Sequence, residues 1–254
     1  MPLNHNTDND WERLGASDPY YAVLSESSFR RANLVDESMA AFFSSGEKHV
    51  QEVMENIRKH IDSNFTPANV LDFGCGVGRL VIPFAKIAKH VVGADVSTAM
   101  LDEARANCAK RNVANVSIIK SDDQLTLLTD QYDLIHSYIV FQHISMKRGE
   151  RIFSELLTHL KVGGVGAFHF TFGRSDRSQA RQRFIQGAKH YLPFSAIIAN
   201  LLRGRNLFRP RMEMSAYDLN SIFALIEKHA ANIYVTYANQ GEYLGVQIYF
   251  KKML

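Results

Sequence analysis

Between residues 68 and 170 the chain alternates short apolar runs with longer amphipathic stretches. The runs at 69–73, 91–95, 116–120, 132–138 and 164–171 predict strands, and 79–88, 98–111 and 147–160 predict helices. Such alternation implies a parallel sheet with helices on both faces. Further on, Tyr217 to His229 reads as a helix and Asn232 to Tyr237 as a strand. Asn239-Gln240-Gly241 then makes a turn, and Tyr243 to Lys251 forms a last strand with Leu244, Val246, Ile248 and Phe250 alternating. Upstream, Val50, Val53, Met54, Ile57 and Ile61 recur at helical spacing, with Ser45-Gly46-Glu47-Lys48 as the helix start. An aromatic-rich piece holding Trp11, Tyr20, Tyr21, Phe29, Phe42 and Phe43 precedes it. The expected organisation is an N-terminal helical cap over 1–66 and a core over 67–254, with an insertion at 173–214 between strands five and six.

The densest chemical signal lies where the first strand ends. Gly74, Gly76 and Gly78 stand at alternate positions between Phe73 and the next helix. Glycine there allows positive φ and lets a ligand approach the backbone, because no Cβ intervenes. The helix that follows offers unpaired N–H groups to an electron-rich ligand. The dinucleotide fingerprint G-x-G-x-x-G/A would need a small residue where this chain carries Arg79, so a nicotinamide cofactor fits poorly.

The stretch Asp-Phe-Gly-Cys-Gly-Val-Gly at 72–78 resembles motif I of class I S-adenosylmethionine-dependent methyltransferases. Four further pieces fall in the order that family shows. They are Val91 to Ser97 with Asp95, Val116 to Asp123, Tyr132 to Ser137 followed by Phe141-Gln142-His143-Ile144, and Leu160 to Gly166. The resemblance implies a seven-stranded Rossmann-like α/β sheet, mostly parallel, with its last strand antiparallel. It also implies S-adenosyl-L-methionine as cofactor. Gly74, Cys75, Gly76 and Gly78 would line its methionine and ribose, with Asp72 near the ammonium group. Asp95, about 20 residues on, would take the ribose hydroxyls. Asp122 or Asp123 would meet the adenine, and Val96, Met100, Ser137 and Tyr21 would complete the contacts. Read for packing alone, Asp95 could cap the 98–111 helix, but Ser97 already suits that cap. Tyr20 and Tyr21 are the favoured aromatic contacts, with Phe42 and Phe43 next.

The acceptor is less legible. Tyr138, His143 and His169 are the candidate catalytic side chains, and His143 could serve as general base for a hydroxyl. Packing roles fit His143 and His169 about as well, and His136 reads as structural. Methyl transfer from a sulfonium asks the protein mainly to position two partners and exclude water.

Composition then narrows the class. At 254 residues and 46% hydrophobic, the chain can bury one substantial core. Two cysteines make no disulfide framework or zinc spacing. The N-terminus shows no signal-peptide pattern and no apolar run spans a bilayer, so a cytoplasmic enzyme is expected. The net charge of +3 conceals an asymmetry, since 171–211 carries nine basic residues against Asp176. That segment suggests a lid for an anionic small substrate, a membrane-surface contact through 190–211, or a solvated face. Nucleic acid is disfavoured, because Ser137-Tyr138-Ile139-Val140 stands where base methyltransferases carry an Asn-Pro-Pro-Tyr-type sequence. The leading expectation is methylation of a small molecule, on oxygen before nitrogen or carbon. A cofactor-binding protein without turnover and an NAD-dependent oxidoreductase are the alternatives.

Overall fold

The computed structural model of the protein describes residues 7–175, 212 and 214–253. Seven strands form one sheet: β1 (Asn69–Phe73), β2 (His90–Asp95), β3 (Val116–Lys120), β4 (Tyr132–Ser137), β5 (Leu160–Arg174), β6 (Ala230–Tyr237) and β7 (Tyr243–Lys252). Their order is β3-β2-β1-β4-β5-β7-β6. Strands β1 to β5 pair in parallel, and β7 runs antiparallel to both of its neighbours. The expected sheet is therefore present, with its antiparallel strand placed between β5 and β6. Period-two alternation divides the strands between two cores. Val70, Val91, Leu134 and Val165 face one cluster, while Leu71, Val92, Ile135 and Phe168 face the other. Burial on both faces explains why these strands read as continuous apolar runs.

The first core is covered by α3 (Asp36–His60), α4 (Val81–Ala85) and α5 (Thr98–Lys110), with α1 (Thr7–Ser17) and α2 (Pro19–Val23) also packed against it. The second is covered by α6 (Met146–His159) and α7 (Leu219–Glu227).

Three local expectations need correcting. Helix α3 does not begin at Ser45; it starts at Asp36 and runs through Ser45-Gly46. Gly46 is there for close packing, since a Cβ would stand 2.3 Å from the Arg79 carbonyl oxygen. Helix α4 covers 81–85 rather than 79–88. Pro83 has no N–H to give the preceding turn, so it can sit only in the first turn of a helix. Lastly, 160–164 is not a free turn into β5. Leu160 pairs with Tyr132 and Val165 with Leu134, so the residues between them bulge from a strand already begun.

Among the described residues no helix is long and apolar enough to cross a membrane. Most of the basic segment, including the 190–202 run and Arg203, Arg205 and Arg209, lies outside the described residues.

Candidate functional site

β1 pairs with β2 on one side and β4 on the other, so the direction of strand succession reverses at β1. Open α/β sheets bind ligands beyond the carboxyl ends of their strands at such a point. A cleft lies here, lined by the turn after β1, the end of β2 and the loops after β3 and β4.

The turn is held by its own backbone. Gly74 N–H and Cys75 N–H both donate to the Ala94 carbonyl, at 2.7 and 3.1 Å. Gly74, Gly76 and Gly78 have φ of 76°, 52° and 84°, a region costly for residues with a Cβ. Asp95 closes the arrangement. Its Oδ2 accepts from Gly76 N–H and its Oδ1 from Ser97 N–H, each at 2.9 Å. Burial raises the Asp95 pKa, and the amides of Ser97, Gly76 and Val96 pull against that rise. Ser97 is the cap of α5, its Oγ accepting from Met100 N–H. Val96 and Met100 line the cleft beside Asp95, and Gly74, Cys75 and Gly76 line its floor.

Asp72 sits deeper, only 2% exposed, yet it lines the cleft. Its Oδ1 accepts from His136 Nδ1–H at 2.9 Å, and its Oδ2 has no hydrogen-bond partner. With Nδ1 of His136 as donor, His136 Nε2 accepts from His49 Nε2–H at 3.0 Å. His136 is thus structural, as expected, and it orients the carboxylate. An unpaired buried carboxylate oxygen is costly, and a cationic group is what would satisfy it.

Six predicted contacts fall elsewhere. Gly78 does not line the cleft; an added Cβ would pack on Ala104 of α5, so its glycine serves backbone conformation. Ser137 is fully buried and donates from Oγ to the Phe73 carbonyl, tying β4 to β1. Tyr21 lies under the Arg30 guanidinium, 3.6 Å from its ring centroid, away from the cleft. Tyr20, Phe42 and Phe43 pack edge to face in the first core. From α2 it is Ala22 and Val23 that reach the cleft, because the two tyrosines occupy the other faces of that turn. Trp11, Arg79, Val140 and Arg148 also line the cleft and were not assigned to it from sequence. Only Arg79 left a trace there, as the bulky cation where the dinucleotide fingerprint needs a small residue.

At the β3 end, Asp122 and Asp123 both line the cleft but differ in what they hold. Asp122 Oδ1 accepts from the amides of Gln124 and Thr126, and Oδ2 from Thr126 Oγ1. The Thr126 hydroxyl, helped by these amides, holds the Asp122 carboxyl below the usual range. Asp123 is gripped by Arg148 Nε at 2.8 and 2.9 Å. Arg148 also donates to Asp8 Oδ1 and Oδ2, each at 2.8 Å, and to Thr7 Oγ1. One guanidinium therefore ties the start of α1 to the β3–β4 loop across the mouth of the cleft. Arg148→Ala is expected to cost about 1–2 kcal/mol, since the cluster is partly solvated. Its clearer sign is faster hydrogen exchange through amides 7–17, and unchanged exchange there would mean that other contacts hold α1.

Of the predicted catalytic residues, Tyr138 and His143 line the cleft. Tyr138 Oη accepts from Gln240 Nε2 at 2.7 Å, and burial raises its pKa. The His143 ring meets Trp11 edge to face at 4.8 Å, and Gln142 Nε2 donates to its Nε2 at 3.1 Å. His169 is different: it is fully buried, does not line the cleft, and donates from Nε2 to the Ala238 carbonyl. Its ring stands behind the cleft wall, edge to face with Tyr138 at 5.3 Å between centroids. Burial lowers its pKa to about 4. The unfolded chain takes up a proton near pH 6.5 and the native state does not until about 4. Stability held above pH 6.5 should therefore be lost as pH falls from 6.5 to about 4, by on the order of 3 kcal/mol. His169→Gln should flatten that slope in denaturant titrations; an unaltered slope would assign it to other groups.

Comparison with known proteins agrees with this geometry. Residues 70–164 match the family model described as a methyltransferase domain. These residues run from β1 into the start of β5 and include the glycine turn and Asp95. Over 75 residues the chain is 39% identical to a ribosomal protein L11 methyltransferase of Lactobacillus gasseri, covering 29% of this chain and 24% of that protein. Over 131 residues it is 23% identical to a ubiquinone biosynthesis O-methyltransferase of Rickettsia akari, covering 52% of this chain and 51% of that protein. The chain thus spans about a quarter of the first relative and half of the second. The crystal structure of magnesium protoporphyrin IX methyltransferase from Synechocystis PCC 6803, with bound S-adenosylhomocysteine, superposes with a TM-score of 0.64. That likeness covers 95% of this chain and 97% of that one at 17% identity. The N-methyltransferase NodS from Bradyrhizobium japonicum gives 0.60, with 98% and 99% covered at 15% identity. At such identities these structures speak for the fold.

Proposed function

We propose that the protein transfers a methyl group from S-adenosyl-L-methionine to a small-molecule acceptor, with oxygen as the accepting atom. The observation that carries this reading is the pairing of a glycine turn with Asp95 at the end of the neighbouring strand, both on one cleft. A nucleoside laid against that turn meets no Cβ from Gly74 or Gly76, and its ribose hydroxyls reach the Asp95 carboxylate. Met100 and Val96 supply apolar walls beside the sugar and base. Asp122 is assigned to the adenine amine: its Oδ2 holds only the Thr126 hydroxyl and keeps a lone pair, whereas Asp123 is committed to the Arg148 guanidinium. The bare Oδ2 of Asp72 is assigned to the ammonium group.

S-adenosylmethionine would supply an already activated methyl on sulfonium. The chain's part is then to align the acceptor and to keep water out. Trp11, Val23 and Val140 are apolar walls suited to excluding water. His143, on the cleft wall, is assigned to receive at Nε2 the acceptor's proton if that acceptor is a hydroxyl, the acceptor displacing the Gln142 amide from that nitrogen. The choice of oxygen follows the Rickettsia akari relative's name; the L11 relative, by its name, concerns a protein. An anionic acceptor is suggested by the basic composition of 171–211, most of which lies outside the described residues.

The test is release of S-adenosylhomocysteine from S-adenosylmethionine across a panel of phenols, carboxylates and phosphorylated metabolites. Turnover on at least one hydroxyl acceptor is expected. Tight cofactor binding with no turnover on any acceptor would instead favour a binding protein, and thermal stabilisation by NAD alone an oxidoreductase.

A further inference from the structure

His143 sits on a single 3₁₀ turn, Phe141–His143, and both flanks of that turn are tied to one distant stretch of chain. Ser215 N–H donates to the Gln142 carbonyl at 2.6 Å, and the Tyr217 hydroxyl donates to the Ile144 carbonyl at 3.0 Å. Tyr217 is buried, its ring against Phe141 and Phe170. Gly149 of α6 makes room for it, since a Cβ there would collide with the Tyr217 hydroxyl. Tyr217 N–H also donates to the Thr171 carbonyl at 2.8 Å, so the same stretch holds β5 beside the turn.

Two buried polar side chains meet between these anchors. Thr171 Oγ1–H donates to Gln142 Oε1 at 2.9 Å. With its oxygen so engaged, the amide turns its nitrogen to the ring of the next residue, and Gln142 Nε2–H donates to His143 Nε2 at 3.1 Å. Among the described residues the side-chain amide has no other partner. Burying an amide and a hydroxyl here costs free energy that apolar side chains of similar size would not. What the pair delivers is one N–H aimed at one ring nitrogen.

A neutral imidazole carries one N–H and one lone pair, and the bond made to one nitrogen settles where the proton sits. A donor at Nε2 places the proton on Nδ1. We infer that Gln142, oriented by Thr171, is a positioning residue that holds His143 in the tautomer whose lone pair is at Nε2. This rests on the reading above in which His143 takes the acceptor's proton. The amide N–H then marks the place of the acceptor's O–H, one donor replacing another at the same lone pair. As the acceptor oxygen takes the methyl, the S–C electron pair stays on sulfur and the O–H proton passes to Nε2. In the other tautomer Nε2 already carries a proton and has no lone pair for a hydroxyl.

The test reads the tautomer directly, from ring-nitrogen shifts in long-range proton–nitrogen NMR spectra of the whole protein. These are recorded at about pH 9, well above the ordinary imidazole pKa. His143→Gln deletes the His143 signals and so identifies them. The wild type should carry the proton on Nδ1, the reverse of what free histidine prefers. Gln142→Glu offers only acceptors, so His143 should switch to the Nε2–H form. Thr171→Val, close in shape, frees the amide to turn and should give a mixture; it is the variant to read where Gln142→Glu does not fold. On an acceptor from the panel above, Thr171→Val should lower kcat by roughly 2- to 10-fold, the worth of one neutral hydrogen bond, with KM for S-adenosylmethionine unchanged. His143→Gln should lower it by roughly 100-fold or more. A wild type with the proton on Nε2, or a tautomer unmoved in the folded variants, would overturn the role of Gln142 and leave the base reading to be judged by His143→Gln. Full turnover in His143→Gln removes the base reading and the part of Gln142 with it, as does an absence of turnover on every acceptor.

Discussion

Gly74→Val is expected to destabilise the protein by about 2–5 kcal/mol and to leave no measurable cofactor binding. Two separate penalties combine. The backbone at this residue has φ of 76°, which costs a residue with a Cβ roughly 1–2 kcal/mol. The added Cβ would also stand 2.2 Å from Val140 Cγ2 and 2.6 Å from Val140 Cγ1, forcing the post-β4 loop outward into the cleft. Overpacking of this kind costs about 1–3 kcal/mol. Gly163 is the control. Its φ is 79°, yet nothing lies within 4 Å of a Cβ there, so Gly163→Ala should show the backbone penalty alone. Urea titrations of the two variants separate the contributions. If Gly74→Val proves no worse than Gly163→Ala, Val140 yields freely and the turn is less constrained than its geometry implies.

Asp95→Ala should reduce S-adenosylmethionine affinity by about 1.5–3 kcal/mol, roughly 10- to 150-fold, measured by calorimetry. The carboxylate has two roles here, holding Gly76 N–H and Ser97 N–H while keeping lone pairs for a ligand. Asp95→Asn keeps most of the shape and so isolates the charge. Because burial raises this carboxyl's pKa, acid reaches it sooner than an exposed aspartate. In the wild type, ligand affinity should decline as pH falls through that raised value, since ribose binding needs the ionised form. For folding alone the sign is opposite: protonation relieves the cost of burying the charge, so this group favours the folded state more at acid pH. Asp95→Asn should abolish the first dependence. An affinity unchanged in Asp95→Ala would remove this residue from the ribose site.

What the sequence revealed and concealed follows from the range of the interactions concerned. Strand β1 and the glycine turn were legible because each depends on residues within a few positions of itself, and Asp95 because it stands at a fixed offset of about 20 residues from that turn. Positive φ at Gly74 and Gly76 and the Ser97 cap are local requirements, visible as residue types at fixed spacing. The walls of the cleft were not legible, because distant segments supply them. Nothing near Tyr21 showed that α2 would turn its aromatic rings away and offer Ala22 and Val23 instead. Nothing near Arg148 foretold its grip on Asp8 and Asp123. His169 misled for a related reason: its strand position was right, but alternation carried its ring toward β7 and the Ala238 carbonyl. Gly46 resembled a helix start until Arg79 was found pressed against it.

The most direct test is the crystal structure of the protein with S-adenosylhomocysteine. The nucleoside should lie against Gly74 and Gly76, with both ribose hydroxyls within hydrogen-bond distance of the Asp95 carboxylate. A ligand found elsewhere, or a dinucleotide pyrophosphate occupying that turn in its place, would contradict the account.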